Sequence, residues 1–381
     1  MPNGDPSHAV VHLTMRRGQN VLGVGSGVLY RRDSATFIVT AWHNVTGRHA
    51  ETLKPLHKSG GLPDNLIAII SCRSYNEQGF EGTIRRGFTI PLEDGARTFY
   101  LQHPQGWPRV DVVAIPINPE HPYDNELAIG TGEKVVMHMP MREKSNGPGL
   151  GSDIFCIQDF EPTEALPHGV TAANYLSLGS DLFILGYPKG IVDMYYQPLW
   201  KRATVASSPS AGWQRQKKFL VDCASRQGMS GAPAVTHSSS GKLQIAGLTL
   251  MMGAPVTLFH GIYTNRVGGG TEFEAQIGSI WGAEVIPEII DGARLALHSS
   301  ELELPETDLD SLIASSWPKV EGLPPMYSGV TDYADLVLAQ NSVIDQYFTH
   351  SLMEKMAGRA DPDHVQQKVR EFAKRRSEKR Q

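Results

Sequence analysis

Gly228-Met229-Ser230-Gly231-Ala232-Pro233 sets a serine on a tight turn, with glycines nearby on both sides and a proline behind it. A nucleophilic serine needs such a setting. Its hydroxyl must stand out from the chain, and backbone N–H groups must point at the oxygen that becomes negative during attack. Gly228 lets the chain turn with its N–H aimed inward, Gly231 leaves room for another backbone, and Pro233 fixes the exit into Ala234-Val235. A plain surface turn is the bland alternative. A base elsewhere in the chain separates the two, because an ordinary serine hydroxyl is a weak nucleophile.

Thr40-Ala41-Trp42-His43-Asn44-Val45 supplies that base. The apolar run 36–40 reads as a strand, so His43 falls just past a strand end rather than inside a core. Asp111 opens a second apolar run, Asp111-Val112-Val113-Ala114-Ile115. A carboxylate there is partly buried and needs hydrogen-bond donors. A histidine N–H is such a donor, and the pairing fixes the tautomer a base requires. The three residues run in the order His43, Asp111, Ser230.

Around them the first 280 residues or so read as short strands. Examples are Ala9-Val10-Val11-His12-Leu13-Thr14-Met15, Leu66-Ile67-Ala68-Ile69-Ile70, Asp181-Leu182-Phe183-Ile184-Leu185 and Gly261-Ile262-Tyr263-Thr264. They do not alternate with long helical patterns, which disfavours a parallel α/β sheet. The 38 Gly and 25 Pro are spread along the 381 residues, as many turns require, and 40% apolar content excludes a mainly disordered chain. The segment 143–151, rich in Gly, Ser and Pro, is the best linker. Beyond about residue 285 the period changes. Thr331 is placed to cap a helix over 332–356, with Tyr333, Leu336, Val337, Val343, Ile344, Tyr347 and Phe348 on one face. Gly358 is a stop, and Asp361-Pro362 starts a last helix.

These residues resemble the trypsin-like, chymotrypsin-fold serine peptidases, most closely the intracellular bacterial branch related to the HtrA proteases. The resemblance rests on Gly25-Ser26-Gly27-Val28, Thr40-Ala41-Trp42-His43, Asp111-Val112-Val113-Ala114, Leu185-Gly186-Tyr187-Pro188-Lys189-Gly190, Gly228 to Pro233 and Ala246-Gly247-Leu248, over about residues 8–290. It implies an all-β core of two six-stranded antiparallel β-barrels and, beyond them, an α-helical C-terminal extension. The divisions are then 1–145, 146–285 and 286–381. It implies catalysis by His43, Asp111 and Ser230, with the N–H groups of Gly228 and Ser230 as oxyanion hole. It places the base of the substrate pocket at Ala224 and Ser225, and one wall at Thr249-Leu250-Met251-Met252. Neither segment carries an Asp, so Lys/Arg specificity is not expected. Met229 stands where secreted relatives carry an acidic residue, so an N-terminal ammonium released by cleavage has no carboxylate to pair with.

The expected activity is therefore a serine endopeptidase acting on proteins or peptides. A non-catalytic peptide-binding scaffold and a small-acyl esterase are the alternatives. No cofactor or metal is expected, since His43, His49 and His57 lack ligand spacing. Gly268-Gly269-Gly270 opens no helix and is not a phosphate loop. The net charge of −5 does not call for nucleic-acid binding, and eight Lys/Arg against four Asp/Glu in 359–381 read as a solvated helix face. No apolar run is long enough for a membrane span, and residues 1–6 show no secretory signal. Three widely spaced cysteines, Cys72, Cys156 and Cys223, suggest reduced thiols in a cytoplasm. The apolar face of the C-terminal helix must be covered by the barrels, a regulatory protein or a second copy, so deleting 330–381 is expected to change activity.

Overall fold

The structure is a computed structural model and describes residues 4–75, 81–128, 134–143, 151–162, 166, 171–245, 248–267, 276–318, 332–338 and 342–379. The β-branched runs of the first half form strands β1 (Val10–Arg17), β2 (Asn20–Arg32), β3 (Ala35–Thr40), β4 (Asn65–Tyr75), β5 (Glu81–Pro91), β6 (Leu101–Gln102), β7 (Val113–Ile117), β8 (Pro122–Ala128), β9 (Lys134–Pro140) and β10 (Gly151–Ile154). They lie in one antiparallel sheet in the order β6-β7-β3-β2-β1-β4-β5-β8-β9, with β10 on β4. A short helix, α1 (Trp42–Thr46), follows β3.

The second half begins with α2 (Ala172–Tyr175) and continues through β11 (Asp181–Gly186), β12 (Leu199–Val205), β13 (Lys218–Asp222), β14 (Pro233–Ser238), β15 (Lys242–Ile245), β16 (Leu248–Met251), β17 (Val256–Val267) and β18 (Ile277–Gly282) to α3 (Val285–Gly292). A closed antiparallel barrel runs β11-β12-β13-β18-β17-β14, and β15-β16 is a separate hairpin. The barrel is filled from alternate positions: Leu182 and Ile184 on β11, Phe219 and Val221 on β13, and Ile280 on β18. Each such side chain contributes roughly 1.5–3 kcal/mol of burial. The all-β core, the six-stranded antiparallel barrel and the C-terminal helices are as expected. The first half, however, carries ten strands among the described residues. It also runs past residue 145, because Ile154 and Asp153 of β10 pair with Cys72 and Arg73 of β4.

Two compact units result. Both β halves share one, built from Met1–Gly47, His57–Pro104 and Asp111–Ala296. The other consists of Arg48–Leu56, Gln105–Val110 and Leu297–Gln381. It contains α4 (Glu306–Ser316), α5 (Tyr333–Leu338), α6 (Ser342–Lys355) and α7 (Pro362–Glu378). The helix expected over 332–356 is thus two helices; Thr331 and residues 339–341 lie outside the described residues. Asp361 caps α7 by accepting from the Asp363 N–H, with Pro362 in the first turn. The apolar face is covered within its own unit. Tyr333, Leu336, Val337, Ile344 and Phe348 pack with Leu309, Ile313, Leu352, Val365 and Val369, and Trp107 packs against them. The need for a partner or second copy to cover that face therefore disappears. Tyr347 leaves the face altogether, at 75% exposure. The linker residues 144–150, Gly268–Gly270 and the pair Ala246-Gly247 lie outside the described residues.

Candidate active site

Strand register brings His43 and Asp111 together. Thr40 pairs with Val113 in the antiparallel β3–β7 ladder, so residues just after Thr40 face those just before Val113. The Trp42 N–H accordingly donates to the Asp111 carbonyl at 3.2 Å. The Asp111 carboxylate then accepts from the His43 backbone N–H at 3.1 Å and stands 2.9 and 3.0 Å from the ring Nδ1. That backbone N–H belongs to the first turn of α1 and has no partner within the helix. A carboxylate only accepts, so Nδ1 carries the proton and Nε2 presents its lone pair. Asp111 is buried and His43 half-buried.

Ser230 sits on a turn held from several sides. Its carbonyl accepts from the Ser26 N–H at 2.8 Å and from Asn44 Nδ2 at 2.9 Å. Asn44 Nδ2 also donates to Thr40 Oγ1, whose hydroxyl donates to the Ser26 carbonyl. The fully buried Ser26 hydroxyl donates to the Gly228 carbonyl at 2.8 Å. The Gln227 carbonyl accepts from the Lys189 N–H at 2.5 Å. A trans peptide points its C=O and N–H in opposite directions. With the Gln227 carbonyl tied to Lys189, the Gly228 N–H faces the other way. Among the described residues neither the Gly228 nor the Ser230 N–H has an acceptor. Gly228 and Gly231 take φ of +96° and +89°, and a side chain on Gly231 would run into the Ser26 carbonyl. Met229 points into the barrel core with Tyr263 and Ala232.

The hydroxyl of Ser230 donates to the Thr264 carbonyl at 2.6 Å, and no bond joins Ser230 to His43. The structure thus pairs His43 with Asp111, brings Asn44 onto Ser230, and leaves the serine hydroxyl on a neighbouring strand.

The pocket residues divide differently from expectation. Ser225 is buried and its hydroxyl bonds that of Tyr263, while Ala224 is exposed beside it. Burial pushes the Tyr263 hydroxyl up to about 12. Thr249, Leu250 and Met251 lie on the β15–β16 hairpin with Met252 just past it. Residues 239–255 insert this hairpin between β14 and β17, so the next apolar run after the serine is not the adjoining strand. That strand is β17. The Gly231 N–H donates to the Tyr263 carbonyl at 2.7 Å, and Thr264 receives Ser230. Pairing of β14 with β17 stops at Pro233 and Ile262, whereas β18 pairs as far as Val267. Among the described residues no strand pairs with 264–267 on the side of β14, and Asn265 and Arg266 are exposed, the kind of edge an extended peptide joins.

Sequence reasoning missed Ser26, Asn44, Lys189 and Thr264. Ser26 and Asn44 lie in the quoted motifs, but their roles come from side chains crossing to the second β half. Lys189 and Thr264 act through backbone groups, which no residue type announces.

No protein-family model matches the chain. No curated protein matches it either. Among solved structures, the chain is similar to the Rv3671c protease in its inactive form, at 14% identity over 75% of this chain and 89% of that one, with a TM-score of 0.32. It is similar to the active form of that protease from M. tuberculosis at 15% identity, covering 77% and 85%, with a TM-score of 0.34. The serine endoprotease from Yersinia pestis shares 11% identity over 75% of this chain and 62% of that chain, with a TM-score of 0.31.

Proposed function

We propose that the chain is a serine endopeptidase of the trypsin-like type, from the branch related to HtrA, with Ser230 as nucleophile, His43 as base and Asp111 as its orienting carboxylate. One observation carries the reading. Two N–H groups flanking the serine turn, those of Gly228 and Ser230, have no protein acceptor among the described residues, while the Gln227 and Gly228 carbonyls are tied off. A surface turn has no use for such an arrangement; an oxyanion does. In the proposed reaction Ser230 Oγ attacks a peptide carbonyl as His43 Nε2 takes its proton. The carbonyl oxygen gains the negative charge and accepts from Gly228 and Ser230. His43 returns the proton to the leaving amine, and water hydrolyses the acyl-enzyme by the same route. Asp111 holds the Nδ1–H tautomer and stabilises the imidazolium.

The bond from Ser230 to Thr264 favours a second reading, a peptide-binding scaffold without turnover. New chain ends in a proteome exposed to the wild type, set against Ser230→Ala, separate the two. Cleavage by the wild type alone supports the peptidase; identical profiles overturn it. A reducing cytoplasmic setting is part of the proposal. All three cysteines are free and buried, with burial raising Cys72 and Cys156 to about 11 and 12.

A further inference from the structure

We propose that Arg85 is a positioning residue for the oxyanion turn, acting through Tyr187; this rests on the peptidase reading. The turn Pro188–Gly190 grips the Gln227–Gly228 peptide. The Lys189 N–H holds the Gln227 carbonyl, the Gly190 N–H bonds the Tyr187 carbonyl at 3.0 Å, and the Tyr187 N–H bonds the Ser26 hydroxyl that holds the Gly228 carbonyl. Lys189 takes a left-handed φ of +54°, which a non-glycine residue keeps only when its surroundings enforce it. The enforcement comes from Tyr187. Its ring is fully buried, and its hydroxyl donates to the Tyr196 carbonyl and accepts from Arg85 Nη1 at 2.8 Å.

Arg85 lies on β5, in the other β half. Besides Tyr187 it donates to the Val10 carbonyl at 3.1 Å and the Ser7 carbonyl at 2.9 Å. No carboxylate lies within ion-pair distance of it among the described residues. Asp5 and Asp193 act on it only from beyond that distance, and a buried guanidinium with no paired carboxylate is expensive to maintain. Its fork geometry suits it to fix three oxygens at once. Here those oxygens belong to the N-terminal segment and to Tyr187. Met229 removes the carboxylate through which an N-terminal ammonium could order this turn; Arg85 orders it from inside the fold.

The test measures the rate at which a fluorophosphonate modifies Ser230 in the full chain, alongside thermal stability. Arg85→Met and Tyr187→Phe should each slow phosphonylation roughly ten- to a hundredfold, the scale set by misplaced reacting groups. Arg85→Lys should recover part of that loss. Trp200→Phe removes the Trp200–Ser7 bond, loosening the same segment without touching Tyr187; its rate should stay at the wild-type level at any loss of stability. Should Arg85→Met fail to fold, Tyr187→Phe and Arg85→Lys decide. Labelling of those variants within twofold of wild type overturns the role of Arg85. A wild type that does not label overturns the peptidase reading and this role with it.

Discussion

The Ser230 hydroxyl donates its hydrogen bond to the Thr264 carbonyl at 2.6 Å rather than to His43. Thr264 is fully buried and lies just past the end of the β14–β17 pairing, next to the exposed Asn265 and Arg266. On the peptidase reading, a substrate N–H reaching the Thr264 carbonyl would displace the serine hydroxyl and free it to turn toward the imidazole. The turn is a rotamer change, a minor barrier beside the chemistry. N-methylating the residue that supplies the scissile carbonyl should thus lower kcat/KM about tenfold or more, as loss of one hydrogen bond that also frees the nucleophile would. Equal kcat/KM for methylated and unmethylated peptides would sink this link.

The pairing of Asp111 with both the ring and the backbone of His43 predicts a severe effect from a change that preserves shape. Asp111→Asn presents an amide donor to Nδ1 and favours the wrong tautomer. Turnover should fall by roughly four orders of magnitude with the fold intact. His43→Ala and Ser230→Ala should be equally damaging, and near-additive combinations of the three would contradict a shared mechanism.

On the peptidase reading, specificity would follow from the loop and strand segment beside Ser230. Ala224-Ser225-Arg226-Gln227 and Thr264-Asn265-Arg266 contain no carboxylate and two arginines. Cleavage after Lys or Arg is therefore disfavoured by charge, and neutral or acidic residues before the scissile bond are expected. A cleavage profile dominated by Lys or Arg refutes the assignment of these walls.

The serine turn and the pairing of His43 with Asp111 were legible because each is announced by residue type at a strand end: Gly228 and Gly231, His43, Asp111. The adjoining strand was not. Leu248–Met251 and β17 are both apolar runs after the serine, and only the ladder from Pro233 to Ile262 tells which lies beside it. The helical region misled for a similar reason. Tyr333 and Phe348 announce an apolar face, but their partners are distant in sequence. Trp317 meets Tyr333 and Phe348 edge-on at 5.6 and 5.5 Å, and Phe372 lies 4.8 Å away.

Acid should weaken the fold through His12. This buried ring stands edge-on to Tyr187 at 4.8 Å. Burial, aided by Arg85, lowers its pKa to about 4. Between about 4 and the ordinary 6.5 the unfolded chain binds a proton that the folded chain refuses, so stability rises with pH across that window and is lost as pH falls through it. The full effect is at most about 3 kcal/mol. Urea unfolding at pH 7 and pH 4.5 checks it: His12→Phe should flatten the difference, and an unchanged difference would contradict it.

The helical unit holds the two segments that continue from His43 and lead into Asp111. Arg109 donates to the Ala50 carbonyl at 2.6 Å and the Gly358 carbonyl at 3.0 Å, and Lys54 pairs with Asp361 at 2.8 Å. Removing residues 330–381 takes away Gly358, Asp361 and most of the core around Trp107. We expect slower phosphonylation of Ser230 with His43, Asp111 and Ser230 themselves untouched. Leu352→Ala, which opens a cavity in that core, should cost about 2–5 kcal/mol of the unit's stability. Truncated protein with wild-type rates would show that these segments need no anchor.

Ser230 is proposed here as a nucleophile activated by His43. Intact-mass spectrometry of the folded, full-length chain after exposure to a fluorophosphonate tests it most directly. One phosphonyl adduct per chain is expected, mapped to Ser230, absent in Ser230→Ala and suppressed in His43→Ala. A wild-type chain that stays unmodified, or one modified equally well without His43, would contradict it.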